Sequence, residues 1–206
     1  MAAKATKTKP PRLSKPSRPA KLRTAGKTAA SRATGKTLRG AKPPVKKAAT
    51  PSPCIIAGIG ASAGGFQSAV DFLKKIPPRT NLALVLVTHL DPTHESKLAE
   101  LLGKATKMPV REITDGEQVQ PAHVYVLPSN FDVILEKNRT LKLTRRVRDG
   151  QPHMPVNTFF RSFATVEGSN AIGVILSGTG SDGTAGLSAI KAAGGRTFAE
   201  AEKTAK

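Results

Sequence analysis

The chain has 206 residues, with 33 lysines and arginines against 14 acids, and a single cysteine that excludes an internal disulfide. Fifteen of the basic residues and none of the acids fall in residues 1–50, which leaves 18 against 14, an ordinary balance for a soluble domain, in the remainder. No apolar run approaches the roughly 18 residues of a spanning helix and the N-terminus has no secretory apolar core, so a cytoplasmic protein without a membrane span is expected.

Residues 1–53 are built from Lys, Arg, Ala, Pro, Thr and Ser. They form an expected disordered basic tail, because almost nothing in them can be buried to offset the entropy of ordering the chain. Such a tail reads first as a solvated leader. Its spaced cations, over residues 1–50, are also of the kind that bind polyanions weakly and without sequence preference. An acid-free, Arg-containing leader shares features with an organelle transit peptide as well. Residues 54–206 are enough for one domain that buries about two-thirds of its unfolded surface.

Within that domain, "CIIAGI" (54–59) reads as a short buried strand, and "GFQSAVDFLKKI" (65–76) has helical spacing until Pro77 and Pro78 stop it. "LALVLV" (82–87) is a continuous apolar run, as in a strand covered on both faces. "DPTHESKLAELLGKAT" opens with cap-like Asp91, Pro92 and Thr93 and continues as an amphipathic helix. "HVYVLP" (123–128) reads as a strand, and "FDVILEKNRTLKLTRR" as a hairpin turning at Lys137-Asn138. A helix over 156–168, a buried strand over 171–178, a helix over 183–195 and a last strand at "RTFAEA" complete the pattern. Strands alternating with helices predict an α/β fold with a mostly parallel sheet and a β-hairpin insert.

Ligands of open α/β sheets bind at the carboxyl ends of the strands, so the polar residue after each buried run is the one to inspect. Three runs lead to Ser62, His89 and Asp182. A hydroxyl, an imidazole and a carboxylate on one rim are the parts of a hydrolytic triad. Gly60-Ala61-Ser62-Ala63-Gly64 matches the G-x-S-x-G elbow, whose glycines let a serine project from a sharp turn. The helix that follows aims free backbone N–H groups at the oxyanion formed on attack. Each residue also has a plainer reading: Ser62 as a helix cap, His89 as a surface histidine, Asp182 as the cap of the helix at Gly183. The same glycines fit the G-x-G-x-x-A variant of a dinucleotide fingerprint, but the second strand delivers Thr88 and His89 where that site needs an acid. His89, His94, His123 and His153 have no recognisable metal-ligand spacing.

"GIGASAGG", "VTHLDPTHESKLAELL", "DGEQVQPAHVYVLPSN" and "AIGVILSGTGSDGTAGLSAIKAAGG" together resemble the catalytic domain of the chemotaxis protein-glutamate methylesterases, the CheB family, over about residues 54 to 203. The resemblance implies a Rossmann-like, doubly wound fold. It implies hydrolysis of glutamate γ-methyl esters on chemoreceptor helices or related signalling proteins, in signal transduction, with possible deamidation of glutamine and no cofactor. It assigns Ser62 as nucleophile, His89 as base and Asp182 as its orienting acid, with the backbone N–H groups of Ala63 and Thr179 on the oxyanion. The family's best-known members carry methionine where Thr179 stands, a change that a backbone donor tolerates. Residues 1–53 are no receiver domain, and family members continue several tens of residues past the last strand, so a truncated C-terminal end is expected. A catalytically idle signalling module and a nucleotide-binding domain are the alternatives.

Overall fold

A computed structural model describes residues 54–89, 96–147, 150, 152–177 and 180–205. The expected tail, the expected cap at Asp91–Thr93, His94 and Thr179 lie outside them.

The chain enters on β1 (Ile55–Ala61), makes a 3-10 turn at Ala63–Gly65 and runs into α1 (Phe66–Lys74). There follow β2 (Leu82–Thr88), α2 (Leu98–Gly103), β3 (Val110–Glu112), β4 (Glu117–Gln118) and β5 (Val124–Val126). β6 (Phe131–Leu135) and β7 (Thr140–Arg145) form the hairpin. The last part is α3 (Pro155–Glu167), a 3-10 turn at Gly168–Asn170, β8 (Ile172–Ile175), α4 (Thr184–Ala192) and β9 (Arg196–Ala199).

The main sheet has the order β3-β5-β2-β1-β8-β9, and every neighbouring pair in it is parallel. The strand order reverses around β1, so the ends of β1, β2 and β8 converge, where an open α/β sheet makes its crevice. The hairpin pairs Phe131–Leu135 with Leu141–Arg145 and gains β4 as a third, antiparallel strand. β3 and β4 are absent from the sequence-based reading because strands of three and two residues carry no periodicity to detect. α2 is also shorter than the spacing predicts: Ser96 and Lys97 are not helical and the helix begins at Leu98.

Alternation along β2 divides the core. Ala83, Val85 and Val87 join Phe159, Phe160 and Phe163 of α3 on one face. Leu84 and Leu86 join Ala69, Val70 and Leu73 of α1 and Leu102 of α2 on the other. α3 starts with Pro155 at its first position, where the missing N–H is no loss. Its three phenylalanines are wholly buried and supply much of the burial that holds it to the sheet. The strand glycines make room for this helix. A Cβ at Gly58 would lie 2.8 Å from the Phe159 ring, and one at Gly60 would lie 2.5 Å from Val156. Packing against α3 therefore accounts for the two glycines that matched a dinucleotide fingerprint.

On the α1 face, beyond the helix, the sheet carries an apolar groove of about 730 Å³, with Phe198 of the edge strand 55% exposed beside it. No helix among the described residues is long and apolar enough to cross a membrane.

Candidate active site

β1 ends at Ala61, and Ser62 takes an extended backbone (φ −106°, ψ −177°) before the 3-10 turn. Its N–H donates to the Ser177 carbonyl (3.2 Å), and its own carbonyl accepts from Gly65 N–H (2.8 Å). The elbow is thus tied to the end of β8. Gly65 is required by closeness: a Cβ there would lie 2.7 Å from the Ser177 carbonyl oxygen. The Ser62 side chain makes no capping bond, so the plainer reading of this serine as a helix cap fails. Ala63 opens the 3-10 turn directly after it.

His89 follows the last residue of β2, and its Nε2 donates to Asp182 Oδ2 at 2.8 Å across 93 residues of sequence. An ionised carboxylate only accepts, so Nε2 carries the proton and Nδ1 is the nitrogen left with a lone pair. The His89 side chain is 39% exposed and that of Asp182 11%. The His89 ring also meets the His153 ring edge-on, with centroids 6.0 Å apart, and His153 donates to Asp132 Oδ1 at 2.9 Å.

Asp182 does not cap the helix at Gly183. Its Oδ2 and Oδ1 instead accept from the N–H groups of Val156 (3.0 Å) and Asn157 (2.9 Å), at the start of α3. In the first turn of α4 the N–H groups of Gly183 and Gly186 are taken by Asn157 Oδ1, at 3.1 and 2.7 Å. Burial works to raise the Asp182 carboxyl, but the His89 bond and the two α3 N–H groups outweigh it and hold the group below the usual carboxylate range.

Ser62, His89 and Asp182 all line one small cavity of about 50 Å³, with Gly60, Val156 and Gly180. The three residues that follow the buried runs are therefore neighbours in space. Such a constellation can remove a proton from a hydroxyl and return it to a leaving group.

A family model described as "CheB methylesterase" matches residues 57–206, from within β1 through β9. The chain belongs to the CheB methylesterase family. It is 39% identical over 148 residues to a protein-glutamate methylesterase/protein-glutamine glutaminase of Pectobacterium atrosepticum, covering 70% of this chain and 42% of that relative. A similarly named protein of Burkholderia lata is 38% identical, with 70% and 40% covered. The chain thus spans well under half the length of these curated relatives. The crystal structure of the CheB methylesterase catalytic domain of Thermotoga maritima superposes with a TM-score of 0.67 at 31% identity, over 73% of this chain and 81% of that one.

For this CheB-family chain the supporting residues escaped the sequence reading. Asn157 was visible only as an amide in the first turn of a predicted helix, a place where Asn often caps. Glu200, whose Oε2 accepts from Ser177 N–H at 2.8 Å and whose Oε1 accepts from Ser68 Oγ at 3.0 Å, left no local signal. The Ser177 N–H bond, with help from Ser68, holds this carboxyl below its ordinary range. Through Ser177, Glu200 braces the same carbonyl that holds the elbow.

Proposed function

We propose that residues 54–206 form one catalytic unit that hydrolyses glutamate γ-methyl esters on methylated chemoreceptor helices or a related signalling protein. Ser62 is the nucleophile, His89 the general base and Asp182 the group that orients and balances the imidazole. Ser62 Oγ attacks the ester carbonyl as His89 Nδ1 takes its proton. The backbone N–H groups of Ala63 and Thr179 receive the oxyanion. His89 returns the proton to the methoxy oxygen, methanol leaves, and water activated by His89 releases the glutamate side chain. Glutamine deamidation follows the same path with ammonia leaving. Residues 1–53, in this reading, are a basic tail whose residues 1–50 have weak affinity for polyanions.

The observation that carries the reading is the 2.8 Å His89–Asp182 bond beside the Ser62 elbow. A decorative surface histidine has no reason to be held by a carboxylate that two helix N–H groups keep ionised. Membership in the CheB methylesterase family and relatives named for methylesterase and glutaminase activity support the same chemistry.

The test is labelling with a serine-directed fluorophosphonate followed by peptide mapping, together with methanol release from methylated receptor. Modification at Ser62, and its loss in Ser62→Ala with the fold retained, is expected. Labelling elsewhere or nowhere, with no methanol released, overturns the assignment in favour of a catalytically idle module.

A further inference from the structure

Asp182 fixes one atom of the His89 ring, Nε2, through their 2.8 Å hydrogen bond. A single bond leaves an imidazole free to turn about its terminal torsion, which for histidine is broad and weakly restrained. The His89 side chain is exposed enough for such a swing. Turning the ring moves Nδ1, the nitrogen that has to meet the Ser62 proton, and a misplacement of about 1 Å at a reacting centre can cost on the order of 100-fold in rate. Holding the base in place calls for a second restraint on the ring, from a group that is itself fixed.

His153 has both properties. Its ring stands against the His89 ring with centroids 6.0 Å apart and planes inclined at 74°, an edge-to-face arrangement within the favourable range of ring pairs. Its own rotation is checked, because Nε2 donates to Asp132 Oδ1 at 2.9 Å, and the two side chains are only 17% and 22% exposed. Asp132 lies on β6 in register with Thr144 of β7, so the anchor is a paired position of the hairpin. His153 also stands two residues before Pro155, the first residue of α3, whose next two N–H groups hold Asp182. Both restraints on the imidazole therefore meet at the start of α3. For merely tying a loop to a hairpin an apolar pair would serve as well, since an imidazole and a carboxylate must be desolvated to lie there.

Resting on the esterase reading above, we propose that His153 is a positioning residue for the general base: its ring, anchored by Asp132, keeps the His89 imidazole turned with Nδ1 toward Ser62. The β-hairpin is then part of the catalytic apparatus and not a mere insert. Asp182 sets which nitrogen of His89 carries the proton, and His153 sets where the other one points. Neither His153 nor Asp132 exchanges a proton with the substrate in this arrangement; they act through His89 alone. The restraint serves acylation and deacylation alike, because the same imidazole handles the Ser62 proton in one and the water proton in the other.

The experiment compares the full chain with His153→Gln, which keeps a donor for Asp132 but loses the ring, and His153→Phe, which keeps a ring but loses the donor. Methanol release from a methylated receptor peptide gives kcat and KM, and fluorophosphonate labelling reports the reactivity of Ser62 toward a small probe. His153→Gln should lower kcat and the labelling rate together by about tenfold or more, with KM and melting temperature unchanged. His153→Phe should lose less than His153→Gln. Asp132→Ala should also lower kcat, and combined with His153→Gln it should add nothing further, since the anchor matters only through the ring. Wild-type kcat in His153→Gln, or a lower melting temperature with kcat retained, makes the pair a structural tie and overturns the proposal while the esterase reading stands. A His153→Phe no faster than His153→Gln overturns the ring contact, and additive losses overturn the anchor. A fall confined to the receptor peptide, with labelling unchanged, makes His153 a substrate contact and overturns the positioning role. A wild type whose Ser62 escapes the probe and which releases no methanol overturns the esterase reading, and the positioning role with it.

Discussion

Asn157 and Asp182 cap each other's helices. The Asp182 carboxylate accepts from the N–H groups of Val156 and Asn157 at the start of α3, while the Asn157 side-chain oxygen accepts from Gly183 and Gly186 at the start of α4. Each exchange satisfies N–H groups that a helix leaves orphaned and places a negative or polar oxygen at the positive end of a dipole. The orienting acid of the proposed triad is thereby fixed by two helices before it meets His89.

Asn157→Ala should cost about 1–3 kcal/mol, because the Gly183 and Gly186 N–H groups lose their acceptor in a buried setting. Urea denaturation measures the loss. Methanol release should fall as well, since the first turn of α4, next to Asp182, loses its tie to α3 while only the backbone bonds to the Asp182 carboxylate remain. An unchanged denaturation midpoint would show that the amide is dispensable.

Asp182→Asn should lower kcat by a factor on the order of 10⁴, in line with loss of the orienting carboxylate in triads generally, while the fold persists. The carboxyl is held below its ordinary value in the native state. Its contribution to stability is therefore full above about pH 5 and is lost as pH falls below ~3.9 through the native value. Wild type and Asp182→Asn should differ in melting temperature at neutral pH and converge in acid. A constant difference from pH 7 to pH 3 would contradict this assignment.

Gly65→Ala should disturb the elbow from behind. The new methyl group would sit 2.7 Å from the Ser177 carbonyl oxygen and 2.9 Å from the Ala61 Cβ, so backbone must move. A loss of about 1–3 kcal/mol is expected from such overpacking. Slower fluorophosphonate labelling of Ser62 should accompany it, and labelling at the wild-type rate would show that the Ser62–Ser177 bond does not position the serine.

Arg139 is the stability test outside the site. Its guanidinium donates to Glu167 Oε2 (2.7 Å) and to the Cys54 carbonyl (2.8 Å), tying the hairpin turn to the end of α3 and the start of β1. The Glu167 side chain is only 3% exposed. Arg139→Ala strands that carboxylate and should cost about 3–5 kcal/mol. Replacing both residues with apolar ones of similar size should recover much of the loss, as a double-mutant cycle in guanidinium chloride would record.

The order of strands and helices and the position of the elbow were legible in the sequence, because buried runs such as Leu82–Val87 and the phenylalanine spacing of α3 are local patterns imposed by backbone periodicity. The residues at the strand ends could be named for the same reason: Ser62, His89 and Asp182 each stand where a predicted run stops. The sequence alone did not decide that His89 meets Asp182, since that contact depends on β1 lying between β2 and β8. Nor did it decide which helix Asp182 caps, or what Asn157 and Glu200 hold. Strands as short as β3 and β4 were decided there as well. These are relations between distant segments, and only packing the two helix layers against a sheet of one particular strand order brings their polar atoms within bonding distance.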